Sequence, residues 1–276
     1  MSTFPAQIVK IASRYADLPG VIAVAFGGSR SGLSFDGMSD LDLYVYCAPP
    51  PSLDHRTAIA HAWDPWPEIG NTAFGDGDEW RHEPSGLKVD VMYWSSAWIE
   101  EQVARVLDQH LPSVGYSTAL VRTIQQSDPI VDSTGWFSRL QTSARRPYPD
   151  QLRRAIVDLN WPLVRGAQSS FLTQIEMAIA RHDAVSVIHR TAALLASWFD
   201  VLFALNRVMH PGEKRLVAIA LAECEHCPGN LAELIEAVIG SIAPPWSEGR
   251  LVATLNRLVS SLVPLVETET AQRPSL

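Results

Sequence analysis

Hydrophobic and polar positions follow different patterns in the two halves of the chain. In the first half, short apolar runs are separated by turn signals and amphipathic segments, which is typical of strands mixed with helices. After Pro149 the strand signals stop, and apolar residues recur at three- and four-residue spacing over long segments. These patterns predict an α+β protein. An N-terminal domain over residues 1–146, with a small mixed sheet flanked by helices, is followed by an all-helical bundle domain over residues 147–276.

The strongest local patterns predict three parts of the sheet and one central helix. An apolar run over residues 21–26 ends at two glycines, which indicates a buried strand followed by a tight turn. A second strand is expected over residues 41–47. Residues 78–94 have the pattern of a hairpin, and polar and apolar side chains alternate along its second arm. In the second domain, residues 183–209 are apolar on nearly all sides, which predicts a buried helix at the centre of the bundle.

The composition favours a cytoplasmic globular protein without a membrane segment. Hydrophobic residues make up 47% of the 276 residues and charged residues 19%, which is ordinary for a globular protein. No continuous apolar run approaches the roughly 18 residues of a membrane span, and the N-terminal residues lack the pattern of a secretory signal. Three cysteines, an odd number, provide no disulfide framework, as expected in a reducing compartment. No sequence pattern predicts the oligomeric state.

The charge balance bears on the class of partner. The chain has 22 basic and 30 acidic residues, for a net charge of −8. Proteins that bind nucleic acids present a basic surface to the phosphates, so this balance argues against a nucleic-acid partner. A small-molecule acceptor, in particular a cationic one, agrees with it better.

The turn after the first predicted strand has the features of a phosphate-binding site. Gly27 and Gly28 let the backbone approach a ligand closely, because glycine has no Cβ. Ser29 can cap a helix at its N terminus, where backbone amides attract phosphate, and Arg30 follows directly. The turn is therefore predicted to bind a phosphorylated ligand.

Aspartates on two of the predicted strands are candidate metal ligands. Asp40 and Asp42 are two residues apart at the start of a strand, so both carboxylates face the same side. Hard carboxylate oxygens on one face suit Mg²⁺. Asp90 lies in the middle of an apolar hairpin arm, which is costly unless the carboxylate is paired or bound to a metal. The alternative is that Asp90 faces solvent or pairs with Lys88.

Together these residues resemble the signature of the polymerase-β-type nucleotidyltransferase superfamily: Gly28-Ser29 and, ten residues later, Ser39-Asp40-Leu41-Asp42. The resemblance implies that residues 1–146 form the nucleotidyltransferase domain. It implies that the two aspartates bind Mg²⁺ together with a third carboxylate from a later strand. Asp90 matches that third position, either as a metal ligand or as the general base. It also implies that the turn from Gly27 to Arg30, with Ser39, binds the triphosphate of ATP.

A sheet domain followed by a helical bundle is also similar to the antibiotic nucleotidyltransferases that act on aminoglycosides or lincosamides. This resemblance implies an enzyme of antibiotic resistance that uses a two-metal mechanism. It would transfer a nucleoside monophosphate, AMP from ATP, to a hydroxyl group of a small acceptor. Two alternatives stay open: a regulatory or non-catalytic module that binds nucleotide, and a nucleotidyltransferase that modifies a protein.

Further polar and aromatic residues are candidates for contacts with the substrates. Lys214 follows a predicted helix stop, from which its ammonium group could reach a triphosphate. The candidates for the acceptor pocket are Trp80 and Trp94 on the hairpin, and Glu176, His189 and Asp200 in the helical domain. His189, Asp200 and Arg207 share one stripe of the predicted central helix. The alternative for that stripe is an internal network of hydrogen bonds and salt bridges.

Overall fold

The computed structural model describes residues 6–27, 40–73, 75–246 and 249–271. The chain divides into two compact units. The sheet unit comprises Met1–Ala104 and Thr123–Arg146. The helical unit comprises Arg105–Arg122 and Pro147–Leu276.

The first part of the chain supplies a mixed sheet and its flanking helices. In chain order its elements are α1 (Ala6–Ala16), β1 (Val21–Gly27), β2 (Leu41–Cys47), α2 (Leu53–Ala60), β3 (Glu68–Asn71), β4 (Gly77–His82), β5 (Leu87–Ser95), α3 (Ser96–Leu107), α4 (Ala119–Gln126), β6 (Asp128–Val131) and α5 (Trp136–Ala144). Among the described residues the sheet has six strands, in the order β3-β4-β5-β2-β1-β6. Strands β2 and β5 run parallel, and the other neighbours are antiparallel. The predicted α+β class with a small mixed sheet is confirmed.

Alternation along β2 separates the two faces of the sheet. The inner face is apolar and packs against α1, and its core includes Leu41, Leu43, Val45, Ile8 and Tyr15. Burying large apolar side chains of this kind contributes about 1.5–3 kcal/mol each. The residues between them on β2, among them Asp42 and Tyr44, lie on the opposite side. We call that side the polar face.

The second part of the chain is helical, as predicted. Its helices are α6 (Asp150–Val164), α7 (Phe171–Ala180), α8 (Ala184–Leu205), α9 (Leu216–Glu223), α10 (Leu231–Ile239), α11 (Arg250–Ser260) and α12 (Val263–Ala271). Helix α8 is the core helix: Leu194, Trp198 and Leu202 are fully buried. By length and composition α8 could cross a membrane, although its sequence is not a continuous apolar run. Its apolar window is 61% buried within the protein, as expected for the core helix of a bundle.

Local hydrogen bonding and backbone geometry determine where α8 begins and ends. The helix begins where the Asp183 carboxylate accepts a hydrogen bond from the Ser186 amide at 3.0 Å, which satisfies an amide that would otherwise have no partner within the helix. It ends at Leu205, earlier than the predicted residue 209, because the chain turns at Arg207, whose φ of 53° is left-handed. Arg207 therefore lies beyond the helix, and its guanidinium group pairs with Asp150 at 2.9 Å.

The division between the units differs from the predicted one in one segment. The prediction placed all of residues 1–146 in the first domain, whereas Arg105–Arg122 packs with the helical unit. Hydrogen bonds explain this position. The Gly115 amide donates to the Asn160 side chain at 2.9 Å, and Arg122 pairs with Glu223 at 2.7 Å.

Candidate functional site

Three carboxylates stand side by side across the sheet on its polar face. Glu79 on β4 is the register partner of Asp90 on β5, and Asp90 is the register partner of Asp42 on β2. Because paired residues of adjacent strands project to the same face, with strands about 4.8 Å apart, these side chains are neighbours. We call Glu79, Asp90 and Asp42 the acid row. The row continues on β1 with Gly27, the register partner of Asp42.

A lysine stands at the same place. Lys88 is two residues before Asp90 on β5, so the two side chains are on the same face. Its ammonium group lies 2.8 Å from the Glu79 carboxylate and 3.8 Å from that of Asp40. The hydrogen bond that Lys88 donates to Glu79 raises the pKa of Lys88, and the negative charges of Glu79, Asp40 and Asp90 raise it further. Asp40 itself is exposed just before β2. The end of the sheet thus carries four carboxylates with one ammonium group among them.

An aromatic wall lies next to the acid row. The ring of Tyr44, on the same face of β2 as Asp42, stacks on Trp94 with centroids 4.4 Å apart. Burial raises the pKa of the Tyr44 hydroxyl, and the charges of Asp42 and Asp90 raise it further, so this hydroxyl stays protonated. Trp94 is half-buried on the face of β5 that carries Asp90. This position agrees with its predicted place beside the acceptor, which stays a prediction.

The chemistry of the acid row fits Mg²⁺ shared with a substrate. Among the described residues, no group of three Asp, Glu, His or Cys side chains is gathered closely enough to form a complete metal site. Mg²⁺ is usually bound by one or two protein carboxylates, with water and substrate phosphates completing its shell. Asp42 and Asp90, opposed on adjacent strands, supply a pair of that kind. The predicted metal ligand Asp40 lies 3.8 Å from the Lys88 ammonium group, which also pairs with Glu79 of the acid row.

Part of the predicted phosphate-binding turn is outside the described residues. Gly27 is described and ends β1 beside Asp42. Gly28, Ser29, Arg30 and Ser39 lie outside the described residues. Their assignment to the triphosphate stays a prediction.

Trp80 does not belong to the acceptor pocket, contrary to the prediction. Its register partner on β5 is Val89, which faces the inner core, so Trp80 points away from Asp90. The indole is 3% exposed, and its Nε1 donates a hydrogen bond to the Tyr15 hydroxyl at 3.0 Å. The hairpin was predicted correctly, but a side chain's face depends on the register of the two arms.

The predicted residues of the helical unit are dispersed within it. Asp200 is 1% exposed and is hydrogen-bonded to the amide and the hydroxyl of Ser117 and to the side chain of Asn160. Burial raises its pKa to about 7. Asp200 is therefore a member of an internal hydrogen-bond network, the alternative considered for this stripe, and is not a surface contact for a substrate. Glu176, His189 and Lys214 are exposed and stay predictions.

A buried ion pair beneath the site was not found from the sequence. Arg56 on α2 is 2% exposed; it pairs with Asp78 at 2.6 Å and with Asp76 at 2.7 Å. The Tyr93 hydroxyl donates to Asp78 at 2.6 Å, and its ring lies 3.9 Å from the guanidinium carbon of Arg56. Buried charges need such partners. The network ties α2 to β4 and β5, the two strands that carry Glu79 and Asp90.

Glu79 and Tyr44 belong to the site but were not predicted from the sequence. Alternation along the predicted strand could have indicated Tyr44. Tyr44 is two residues after Asp42 and so shares its face. Glu79 required the pairing of the two hairpin arms, which no local pattern specifies.

Comparisons with known proteins give limited similarity. A family model described as a domain of unknown function, DUF4037, matches residues 116–216. No curated protein is significantly similar in sequence. A solved structure of a nucleotidyltransferase-like protein from Exiguobacterium sibiricum is similar, with a TM-score of 0.46 and 12% identity, over 96% of this chain and 79% of that chain.

A second solved structure is spectinomycin adenyltransferase AAD(9) from Enterococcus faecialis, with ATP and spectinomycin. Its TM-score is 0.29 and its identity 16%, over 93% of this chain and 96% of that chain. The chain is thus similar to structures described as nucleotidyltransferases.

Proposed function

We propose that this protein is a nucleotidyltransferase that moves AMP from ATP to a hydroxyl group of a small acceptor. The observation that carries the proposal is the register of the sheet. Asp42 and Asp90 oppose each other on adjacent parallel strands, and Gly27 stands beside Asp42 at the end of β1. A pair of carboxylates next to a glycine turn is what a metal-bound triphosphate requires. The glycine–serine and Asp-x-Asp motifs of the sequence support the same chemistry.

The proposed reaction is an in-line displacement. The acceptor oxygen forms a bond to the α-phosphorus of ATP, the bond from that phosphorus to the bridging oxygen breaks, and pyrophosphate leaves. The acceptor's hydroxyl proton passes to a carboxylate, for which Asp90 is the candidate, or to water. Mg²⁺, when bound, would stabilise the negative charge on the attacking and leaving oxygens. The Gly28-Ser29 segment of the sequence is the candidate for the phosphate contacts, since the space that a side chain at Gly27 would take is filled by the Tyr44 ring.

The proposed acceptor is a small cationic compound, such as an aminoglycoside. The charge of the chain, −8, and the exposed Asp40 beside the acid row favour a positively charged molecule over a nucleic acid. The Tyr44 and Trp94 rings offer an apolar surface on the same face. This acceptor class is the finer part of the proposal and is tested separately from nucleotidyl transfer.

The test is transfer of label from α-³²P-ATP in the presence of Mg²⁺ to a panel of aminoglycosides, lincosamides, proteins and RNA. We expect a labelled small-molecule product and stoichiometric pyrophosphate. Asp42→Asn should lower the rate by at least about 100-fold, since it removes a metal ligand. Glu101→Gln, which neutralises an exposed carboxylate on α3, is the matched control and should leave the rate unchanged. Transfer that persists in Asp42→Asn would reject the assigned site.

A second candidate, a non-catalytic module that binds nucleotide, is favoured by the position of Lys88. Its ammonium group already neutralises carboxylates where the metal is expected. Such a module would bind ATP without a requirement for Mg²⁺ and would release no pyrophosphate with any acceptor. Calorimetric titration of ATP with and without Mg²⁺, alongside the transfer assay, separates the two functions.

A further inference from the structure

The Lys88 ammonium group contacts two carboxylates, those of Glu79 and Asp40, at different distances. Its short contact, 2.8 Å, is with Glu79, and its longer contact, 3.8 Å, is with Asp40. Glu79 therefore anchors the ammonium group, while the contact with Asp40 is the weaker one. The Lys88 side chain is 38% exposed, so its flexible stem leaves the charge free to turn toward a ligand on the polar face.

Lys88 lies next to a row of like charges. Glu79, Asp90 and Asp42 face the same side on neighbouring strands, and like charges directly opposite each other destabilise a sheet. A positive charge among them offsets the repulsion. A divalent cation bound to the same carboxylates would do so too, and the two positive charges would repel each other at this distance.

We propose that Lys88 is an internal counter-ion of the acid row. In the free protein its ammonium group weakens the binding of divalent cations to these carboxylates. When metal and a polyphosphate substrate bind together, the ammonium group moves away from Asp40 and pairs with the phosphates. The inference rests on the proposed function for the identity of the substrate class. The binding of the metal and the binding of the triphosphate are therefore coupled. Metal binds weakly alone and more tightly when a triphosphate draws the ammonium group away from Asp40.

A neighbouring cation provides the matched control. Arg81 on β4 is the register partner of Lys88 and lies on the same face. Its guanidinium group donates to the Gly86 carbonyl at 2.8 Å, at the turn of the hairpin. Arg81→Met thus changes the net charge as Lys88→Met does, without removing the cation that pairs with Glu79 and Asp40.

The experiment measures binding of Mn²⁺ to the full chain by electron paramagnetic resonance, with and without inorganic tripolyphosphate. We expect Lys88→Met to bind Mn²⁺ alone at least about threefold more tightly than the wild type, because a nearby positive charge is gone. Tripolyphosphate should tighten Mn²⁺ binding to the wild type, and this enhancement should shrink in Lys88→Met. Lys88→Arg should retain the opposition to Mn²⁺. Arg81→Met should resemble the wild type.

The remaining outcomes overturn the proposal. Equal or weaker Mn²⁺ binding by Lys88→Met, an equal gain in Arg81→Met, or no measurable binding by either protein would each do so. Circular dichroism on the same samples checks that the variants are folded. Because Mn²⁺ binding requires no turnover, an inactive protein with the expected Mn²⁺ affinities would reject only the proposed function. Active protein with unchanged affinities would reject only the role of Lys88.

Discussion

The ring of Tyr44 lies directly over Gly27. A Cβ added at Gly27 would come within 2.2 Å of Tyr44 Cε2, far closer than van der Waals contact. The ring is packed against Trp94 with centroids 4.4 Å apart, so it cannot move aside without losing that stack. Gly27 must therefore be a glycine, because the Tyr44 ring on the neighbouring strand β2 occupies the space of a Cβ. Gly27 is also the residue that continues the acid row on β1.

Gly27→Ala should therefore destabilise the protein. We expect a loss of about 1–3 kcal/mol in the free energy of unfolding, the usual cost of overpacking, measured by urea denaturation. Activity should fall as well, since Tyr44 and Asp42 share one face of β2. In a Tyr44→Ala background the added methyl group has room, so the effect of Gly27→Ala should be smaller by at least about 1 kcal/mol.

Gly229→Ala is the control for this prediction. A methyl group added at Gly229 would meet nothing within 4 Å, and the φ of this residue is not in the left-handed region. That substitution should change the free energy of unfolding by no more than about 0.5 kcal/mol. Equal costs for Gly27→Ala in the two backgrounds would show that Tyr44 is not the obstacle.

Two buried tyrosines should respond in opposite ways to removal of the hydroxyl group. The Tyr93 hydroxyl donates to the buried Asp78 carboxylate at 2.6 Å, so Tyr93→Phe should cost about 1.5–3 kcal/mol of stability. The Tyr46 hydroxyl is buried without a hydrogen-bond partner among the described residues. Tyr46→Phe should be neutral or stabilising by up to about 1 kcal/mol, because it removes an unsatisfied polar group. Thermal and urea unfolding of both variants give the comparison, and similar losses in the two would contradict it.

The contacts of Asp200 indicate that it carries a proton. The Ser117 hydroxyl lies 2.6 Å from Asp200 Oδ2 and 3.0 Å from the Ser113 carbonyl, and its one hydrogen cannot serve both acceptors. A proton on Asp200 supplies the second hydrogen bond. Burial, which raises the pKa of Asp200 to about 7, has the same consequence.

This proton makes stability depend on pH. Between the unfolded pKa near 3.8 and the folded pKa of about 7, the folded state holds a proton that the unfolded state has released. The free energy of unfolding should therefore fall as pH rises through this range and level off above it. Asp200 should contribute a loss of about 1 kcal/mol between pH 6 and pH 8, measured by urea denaturation as the difference between the wild type and Asp200→Asn.

Asp200→Asn isolates this contribution. Asparagine is neutral at every pH, so the loss between pH 6 and pH 8 should be much smaller in the variant. Burial lowers the pKa of His210 to about 4, so this group adds stability as pH rises through its unfolded pKa of 6.5 and opposes the effect of Asp200. Its contribution is the same in the wild type and in Asp200→Asn and cancels in their difference. A variant with the full loss of the wild type would assign the pH dependence to other groups.

Local patterns predicted the strands that carry the acids but not all of the site. The run before Gly27, the strand over residues 41–47 and the hairpin arm with Asp90 were recognised because strand periodicity is a local property. Trp80 was assigned to the wrong face, since its direction depends on the register between two arms. The central helix was predicted, but the burial of Asp200 depends on Ser117 and Asn160, which are distant in sequence.

The sequence alone determined which residue types could bind phosphate and metal, and that a sheet is followed by a helical part, because composition and periodicity act within a few residues. The tertiary structure decided which of those residues are neighbours. The parallel pairing of β2 with β5 places Asp42 beside Asp90, and the pairing of β4 adds Glu79 and the anchor of Lys88. Hydrogen bonds between strands distant in the chain set these positions, and no local pattern encodes them.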